Sequence, residues 1–302
     1  MLSVCIPVYN FNITPLHAAL LKQSNEIDED IEIVIIDDAS SIEFREINKE
    51  CFKKSKFLQL KKNVGRSKIR NLFLEEAQYD NLLFLDCDSI VHDANFLNNY
   101  LTALKQFDNS IFYGGRVYPS NNPERNQLLR WEYGHKRESK NFEQRIKIGN
   151  KALLTNNFLI KRALLVENPF DENLSKYGHE DTLFGFELNQ KHVQVQHINN
   201  PVVNGEIETN TEYLAKTIDG LQNLVYILNK IEDKTSFINY VTVLKKLQSL
   251  NRLKLTAIFR FSFLISKSIL KYTLKKGIYG NLLVFNIYKL GILVDFLKKQ
   301  NN

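Results

Sequence analysis

The 302-residue chain is poor in the residues that build covalent frameworks: it has three cysteines, Cys5, Cys51 and Cys87, an odd set with no CxxC spacing. That disfavours a disulfide scaffold or a zinc site and points to a reducing compartment. No basic n-region, apolar h-region or small-residue cleavage pattern precedes the first strand-like segment, Leu2 to Val8, so the expectation is a cytoplasmic chain without a standard secretion signal. No apolar run is built to span a bilayer: Leu255–Ile265 is interrupted by Arg260, and Asn281–Leu297 by Lys289 and Asp295. Neither GxGxxG nor GxxxxGK[ST] occurs, so no dinucleotide fingerprint or P-loop competes for a phosphate-binding role. No repeat or low-complexity stretch marks a linker, and no recognised motif predicts a nucleic-acid partner.

What is present is a globular composition, 44% hydrophobic and 25% charged, enough for one large α/β domain with an appendage. The formal charge of +6 conceals an asymmetry. Residues 245–302 carry 12 Lys and Arg against one acid, Asp295, a local +11, while the remaining 28 basic and 33 acidic residues leave the rest at −5. Lys and Arg mixed with Phe, Leu, Ile and Tyr at helical spacing suit helices lying peripherally on an anionic leaflet, and equally suit helices packed on the body with solvated lysines.

From the N-terminus to about residue 90, short β-rich runs alternate with helical periodicity, the pattern of parallel βαβ units. The expected strands are Leu2–Val8, Ile31–Ile36, Phe57–Leu60 and Asn81–Leu85, with helices beginning near Thr14-Pro15, Ser41 and Val64. Right-handed crossovers bring their carboxyl ends to one edge, so Pro7-Val8-Tyr9-Asn10, Asp37-Asp38-Ala39-Ser40 and Asp86-Cys87-Asp88 should share a crevice. A further strand is expected near Ile111–Tyr118 and a helix around Glu124–Lys136, and from about Thr211 the chain reads as helical. The resulting organisation is an α/β region over 1–210, with halves 1–110 and 111–210, followed by a basic helical region, 211–302.

Asp86 and Asp88 are two residues apart in extended backbone, so both side chains point one way and can face one hard cation, Mg²⁺ or Mn²⁺. A helix N-cap or a solvated turn uses the same residue types. Asp38 offers a carboxylate able to accept from an imide N–H such as that of uracil, and Tyr9 offers a ring face for a base; Asp37 or Asp38 also suits capping at Ser41. Gly65 permits a tight entry into a helix carrying Arg66 and Arg70, which suits a diphosphate, although the same arginines can simply solvate the helix.

Val4-Cys5-Ile6-Pro7-Val8-Tyr9-Asn10, Ile35-Ile36-Asp37-Asp38-Ala39-Ser40, Asn63-Val64-Gly65-Arg66-Ser67-Lys68-Ile69-Arg70-Asn71, Asp86-Cys87-Asp88 and Tyr177-Gly178-His179-Glu180-Asp181 follow one another in an order and spacing that resemble family 2 glycosyltransferases of the GT-A fold. The resemblance covers roughly residues 1–210 and implies a Rossmann-like mixed sheet flanked by helices, with the helical extension outside it. It implies a metal-dependent inverting transferase that moves a sugar from a nucleotide-sugar, with a UDP-sugar the expected donor, to a saccharide or lipid-linked glycan acceptor in cell-surface polysaccharide biosynthesis. It assigns Asp181 as base and Glu180 to the acceptor. It assigns Pro7, Tyr9, Asn10, Asp38, Gly65, Arg70, Asp86 and Cys87 to the nucleotide, and Asp86, Asp88 and His197 to the metal. A lone His such as His197 is equally a structural residue, and two acids such as Glu180 and Asp181 are favoured in any first helical turn. Gln127-Leu128-Leu129-Arg130-Trp131 has the QxxRW form of processive synthases but precedes the Glu-Asp pair instead of following it; it is read as coincidence, with Trp131 lining an acceptor groove. The alternatives are a nucleotidyltransferase, against which the lack of a Gly-rich basic loop after the first strand counts, and a non-catalytic nucleotide-sugar-binding scaffold.

Overall fold

Strands with apolar residues on both faces need cover on both sides, and the first unit of the protein is built to supply it. The computed structural model describes residues 1–174, 176–278 and 282–300, so Asn281 of the apolar stretch Asn281–Leu297 lies outside the described residues. Two compact units emerge, one comprising Met1–Pro119, Glu138–Ser175 and Glu187–Glu206, the other Ser120–Arg137, Lys176–Phe186 and Ile207–Asn302.

Among the described residues the first unit carries ten strands: β1 (Leu2–Val8), β2 (Ile31–Asp37), β3 (Lys56–Gln59), β4 (Asn81–Leu85), β5 (Ser89–Ile90), β6 (Ile111–Tyr113), β7 (Arg116–Val117), β8 (Asn157–Lys161), β9 (Gln196–His197) and β10 (Val202–Asn204). Seven form a mixed sheet in the order β3-β2-β1-β4-β8-β6-β9, and β5-β10-β7 form a small second sheet. β1, β2, β3 and β4 run parallel, with Val4 opposite both Ile33 and Leu83. Leu2, Val4, Ile6, Val8, Ile33, Ile35, Leu83 and Leu85 form one core with Leu16 and Leu20 of the helix Thr14–Asn25 and Leu97 and Tyr100 of the helix Phe96–Gln106. On the other face Phe84 stacks on Phe158 at 4.9 Å and meets Phe73 of the helix Arg66–Glu76 edge-on at 5.5 Å. Two-residue alternation thus sorts each strand's side chains between two helical layers.

The strand expected over Ile111–Tyr118 is broken at Gly114-Gly115, where the chain leaves the large sheet after β6 and enters the small one as β7. Gly115 has φ +108°, and a Cβ on Gly114 would lie 2.4 Å from the Asn200 carbonyl oxygen. Two buried side chains hold the main chain there. Asn157 Nδ2 donates to Gly115 O and Asn200 O, both at 2.9 Å. Arg145 donates to Tyr113 O at 3.0 Å, Gly114 O at 3.0 Å and Ile198 O at 2.9 Å, with its guanidinium over the Tyr113 ring.

The second unit is helical. Its first long helix, Asn210–Lys230, opens on a capping box in which Thr209 and Glu212 exchange side-chain to main-chain hydrogen bonds. Lys234–Tyr240, Thr242–Arg252, Thr256–Lys275 and Leu282–Gln300 follow. Buried Asn210 ties three segments together, accepting from Leu129 N at 2.9 Å and donating to Arg125 O at 3.1 Å and Lys275 O at 3.3 Å. Among the described residues no helix is long and apolar enough to cross a membrane.

Replacing Arg145 with Met removes three charge-assisted hydrogen bonds and leaves the Ile198 carbonyl short of its donor. The expected cost is about 3 kcal/mol or more in urea-induced unfolding; a cost near zero would show that water replaces the guanidinium.

Candidate active site

The parallel strands end where a ligand of an open α/β sheet binds: β1 lies between β2 and β4, so the direction of strand addition reverses beside it. The loops at these ends are bonded to one another. Asn10 N donates to Ser40 Oγ at 2.9 Å, Ser41 N to Asn10 Oδ1 at 2.8 Å, and Asp38 N to Val8 O at 2.7 Å. Asn10 and Ala39 take positive φ, as such a tight crossing demands. Pro7 lies opposite Ile36 and Val8 opposite Asp37 at the end of the paired part of β1, and Tyr9, just beyond, leaves its ring half exposed to solvent.

The adjacent acids divide their work. Asp37 Oδ2 accepts from Ser40 N at 3.2 Å and so braces the turn, whereas Asp38 accepts from Val64 N at 2.7 Å and Gly65 N at 3.2 Å. Burial raises the Asp38 carboxyl above its ordinary pKa against the pull of these two amides. Asp38 therefore fixes the entry to the helix Arg66–Glu76, whose N-cap is Gly65 with φ +84°.

At the end of β4, Asp86 N donates to Asn156 O at 3.0 Å and Ser89 N to Asp86 O at 3.0 Å, while Gly205 N donates to Asp88 O at 2.8 Å. A Cβ on Gly205 would stand 2.6 Å from that same Asp88 oxygen, so the close approach requires glycine. Arginines gather around the acids: Arg70 Nη2 lies 2.9 Å from Asp86 Oδ1, Arg66 Nη1 3.9 Å from Asp86 Oδ2, and Arg116 Nη2 3.7 Å from Asp88 Oδ2. Burial pushes the Asp86 pKa up, but Arg66, Arg70 and Arg116 together outweigh it and hold the carboxyl below its usual value. The Cys87 thiol between them is pushed up to about 12 by burial and by both aspartates, so it stays protonated.

Arg70, expected beside the nucleotide, has a buried guanidinium that donates to Asp86 Oδ1, to Thr155 O at 3.3 Å and to Arg66 O at 3.3 Å. In this structure it positions Asp86, and Arg66, 44% exposed, is the arginine presented outward. His197 does not join the acids. It sits in β9 with Nε2 3.2 Å from Gly149 O and its ring edge-on to Tyr113 at 5.9 Å, and burial together with the Arg145 charge depresses its pKa to about 4. Among the described residues no three His, Cys, Asp or Glu side chains are grouped to hold a metal, so the three-ligand expectation is corrected to the two carboxylates. Two hard carboxylates still fit Mg²⁺ or Mn²⁺, which are commonly held by one or two acids plus substrate phosphates and water. Arg116, reached through the small second sheet, and Gly205 were not foreseen, since no spacing in the sequence relates them to Asp88.

In the helical unit, Gly178 (φ +97°) and His179 (φ +68°) form a strained entry to the helix Glu180–Gln190. Asn223 Nδ2 secures it by donating to Lys176 O at 2.9 Å and Gly178 O at 2.7 Å. Burial and the Lys289 charge lower the His179 pKa to about 4, so its imidazole is neutral at neutral pH and lies 3.1 Å from Thr182 Oγ1. Asp181 Oδ1 accepts from Thr182 N at 2.6 Å, and the Asp181 charge, second to burial, helps raise the Tyr240 pKa. Glu180 is buried. The QxxRW-like segment is structural in part: Gln127 Nε2 donates to Ile207 O at 2.6 Å and Arg130 pairs with Glu208 at 3.2 Å beneath the Tyr213 ring. Trp131 packs on His135 at 4.1 Å.

The family described as Glycosyl transferase family 2 matches residues 3–167, more than half of the chain. A relative from Haemophilus influenzae, named as an uncharacterized glycosyltransferase, is 34% identical over 94 residues, covering 30% of this chain and 37% of its own. A second of the same name from Rickettsia bellii is 32% identical over 123 residues, 38% of this chain and 16% of its own. The chain thus spans well under two thirds of either relative. Among solved structures, the mannosyltransferase PcManGT of Pyrobaculum calidifontis, in complex with GDP-Man and Mn²⁺, has TM-score 0.61 at 13% identity over 99% of this chain and 86% of that one. Glucosyl-3-phosphoglycerate synthase of Mycobacterium tuberculosis, with Mn²⁺, UDP and glucosyl-3-phosphoglycerate, has TM-score 0.51 at 16% identity over 76% and 79%. At such identities these two establish the GT-A fold.

Replacing Arg70 with Met leaves Asp86 without its buried partner and is expected to destabilise the protein by about 3 kcal/mol. Because the folded Asp86 pKa is depressed, the stability it contributes is present above its unfolded value near 3.8 and is lost as pH falls below it. The gap between wild type and Arg70→Met in chemical denaturation should therefore be full at neutral pH and narrow below pH 3.8; a gap independent of pH would contradict the ion-pair account.

Proposed function

Since the chain belongs to glycosyl transferase family 2, we propose that it moves a sugar from a nucleotide-sugar, a UDP-sugar by preference, to a hydroxyl of a saccharide or lipid-linked glycan with inversion at the anomeric carbon. The observation that carries this reading is the gathering of an exposed Tyr9 ring, the Asp38 carboxylate and the arginine-ringed Asp86 and Asp88 at the carboxyl ends of three parallel strands. The complexes of the two solved relatives, with GDP-Man and with UDP, each alongside Mn²⁺, support a nucleotide-diphosphate donor of this kind.

In this reading Tyr9 stacks on the base, Asp38 accepts the uracil imide N–H with lone pairs left over from Val64 and Gly65, and Pro7, Asn10 and Gly65 shape the loops around the nucleoside. Arg66 meets the diphosphate as a point of positive charge, and Arg70 keeps Asp86 ionised and aimed. Asp86 and Asp88 would hold Mg²⁺ or Mn²⁺, whose chemistry is to neutralise charge on the departing nucleoside diphosphate. Cys87, protonated, contributes packing between the two acids and no charge.

Asp181 takes the proton of the acceptor hydroxyl as that oxygen attacks the anomeric carbon and the bond to the diphosphate breaks. Its Oδ1 is oriented by Thr182, so the carboxylate is held for the transfer instead of free to rotate. Glu180 fixes the acceptor and Trp131 offers it an apolar platform.

Asp181→Asn should lower sugar transfer by about 10³-fold while leaving nucleotide affinity unchanged, as read by product formation beside calorimetric titration of UDP. Full transfer by this variant would remove Asp181 from the role of base. Release of pyrophosphate instead of a nucleoside diphosphate would favour nucleotidyl transfer, and nucleotide binding without turnover on any acceptor would favour a scaffold.

A further inference from the structure

A helix at a protein surface ordinarily hides one apolar stripe and shows water a polar one; a helix apolar on both sides is covered on both. Thr256–Lys275 breaks the ordinary pattern. Its inner side buries Phe263 and Leu274, with the Phe263 ring 6.1 Å from Tyr288 of Leu282–Gln300 and close over Gly291, where a Cβ would stand 2.2 Å from the ring. Its opposite side carries Ile258, Phe261, Ile265, Ile269 and Tyr272, spaced by three and four residues and 66%, 67%, 68%, 68% and 58% exposed. The exposed Leu253 and Leu255, in the preceding turn, and Ile278, after the helix, add apolar surface at either end.

The rim of this stripe has one sign of charge. Arg252, Lys254, Lys271 and Lys276 are exposed and Lys267 and Lys275 half-buried. No Asp or Glu occurs between Asp233 and Asp295. Asp295 itself is buried and neutralised by Arg260 at 2.9 Å and Lys299 at 3.1 Å, so it offers no anion to the surface. Phe and Ile at the centre with Lys at the margin is the chemistry of a helix lying in the interfacial plane of an anionic bilayer, apolar side chains among acyl chains and ammonium groups among phosphates. A second copy of the same face is a poor occupant, because pairing would bring two cationic rims together with no acid to relieve them.

We propose that the outer face of Thr256–Lys275 docks the protein on a bilayer rich in anionic phospholipid, with Ile258, Phe261, Ile265, Ile269 and Tyr272 inserted and Lys271 and Lys276 at headgroup level. The proposal stands on this helix alone and does not depend on the glycosyl-transfer reading. The test is flotation of the full chain with phosphatidylcholine vesicles containing phosphatidylglycerol and with phosphatidylcholine alone, in 0.1 M NaCl and in 0.5 M NaCl, where the Debye length falls from about 10 Å to roughly 4 Å. Binding is expected only with phosphatidylglycerol, weakened by salt. It should fall at least tenfold in Phe261→Ser/Ile265→Ser/Ile269→Ser and separately in Lys271→Glu/Lys276→Glu, with the thermal midpoint unchanged in both. Equal binding to both vesicle types, or unchanged binding in either variant, would overturn it. So would a lipid-free dimer in light scattering that the serine variant dissolves, which would give the face to a second copy.

Discussion

A buried carboxylate at the end of a central strand is costly unless its charge is matched, and the candidate site is organised around meeting that cost at Asp86. Arg70, inaccessible to solvent on the helix that Asp38 and Gly65 initiate, supplies the near partner at 2.9 Å. Arg66 from the first turn of the same helix and Arg116 from the small sheet add longer-range attraction. Removing any of these alters the charge state and aim of the acid on which the metal and diphosphate reading rests. The dependence runs backward through the fold: Asp38 fixes Gly65, Gly65 starts the helix, and the helix delivers Arg66 and Arg70. Charges held in place in this way need little rearrangement to meet a polyanion.

Much of this was legible because it is local or periodic. Short β-rich runs between helical segments gave the strands β1 to β4 to within a residue or so, and the parallel βαβ pattern brought Tyr9, Asp38 and the Asp86-Cys87-Asp88 run to one sheet edge. What was not legible depends on partners distant in the chain. No spacing foretells that Arg145 caps the carbonyls of Tyr113, Gly114 and Ile198, or that Gly205 lies against Asp88. That Arg70 is buried against Asp86 was likewise not legible, because burial is a property of packing and not of sequence order. His197 illustrates the same limit: a histidine after a strand has the right chemistry for a metal, yet its imidazole is held by Gly149 O and Tyr113 in the sheet.

The helical unit is fastened internally by amide side chains, Asn210 and Asn223, which each bond several main-chain groups and so fix segments far apart in the chain. Its Gly178-His179 entry keeps the first turn of Glu180–Gln190, with Glu180 and Asp181, in a defined conformation through positive φ values that packing must enforce. The stretch between Asp233 and Asp295 holds no acid, and Thr256–Lys275 within it turns apolar side chains to solvent beside that concentration of positive charge.

The most direct measurement of the central claim is calorimetric titration of the wild-type chain with UDP and GDP, each in the presence and absence of Mn²⁺. The account predicts that UDP binds, that Mn²⁺ tightens it at least tenfold, and that replacing Asp88 with Asn removes the gain from metal while leaving metal-free binding in place. Equal affinity with and without Mn²⁺, or no binding of either nucleotide, would contradict an Asp86 and Asp88 site for a metal-bound nucleoside diphosphate.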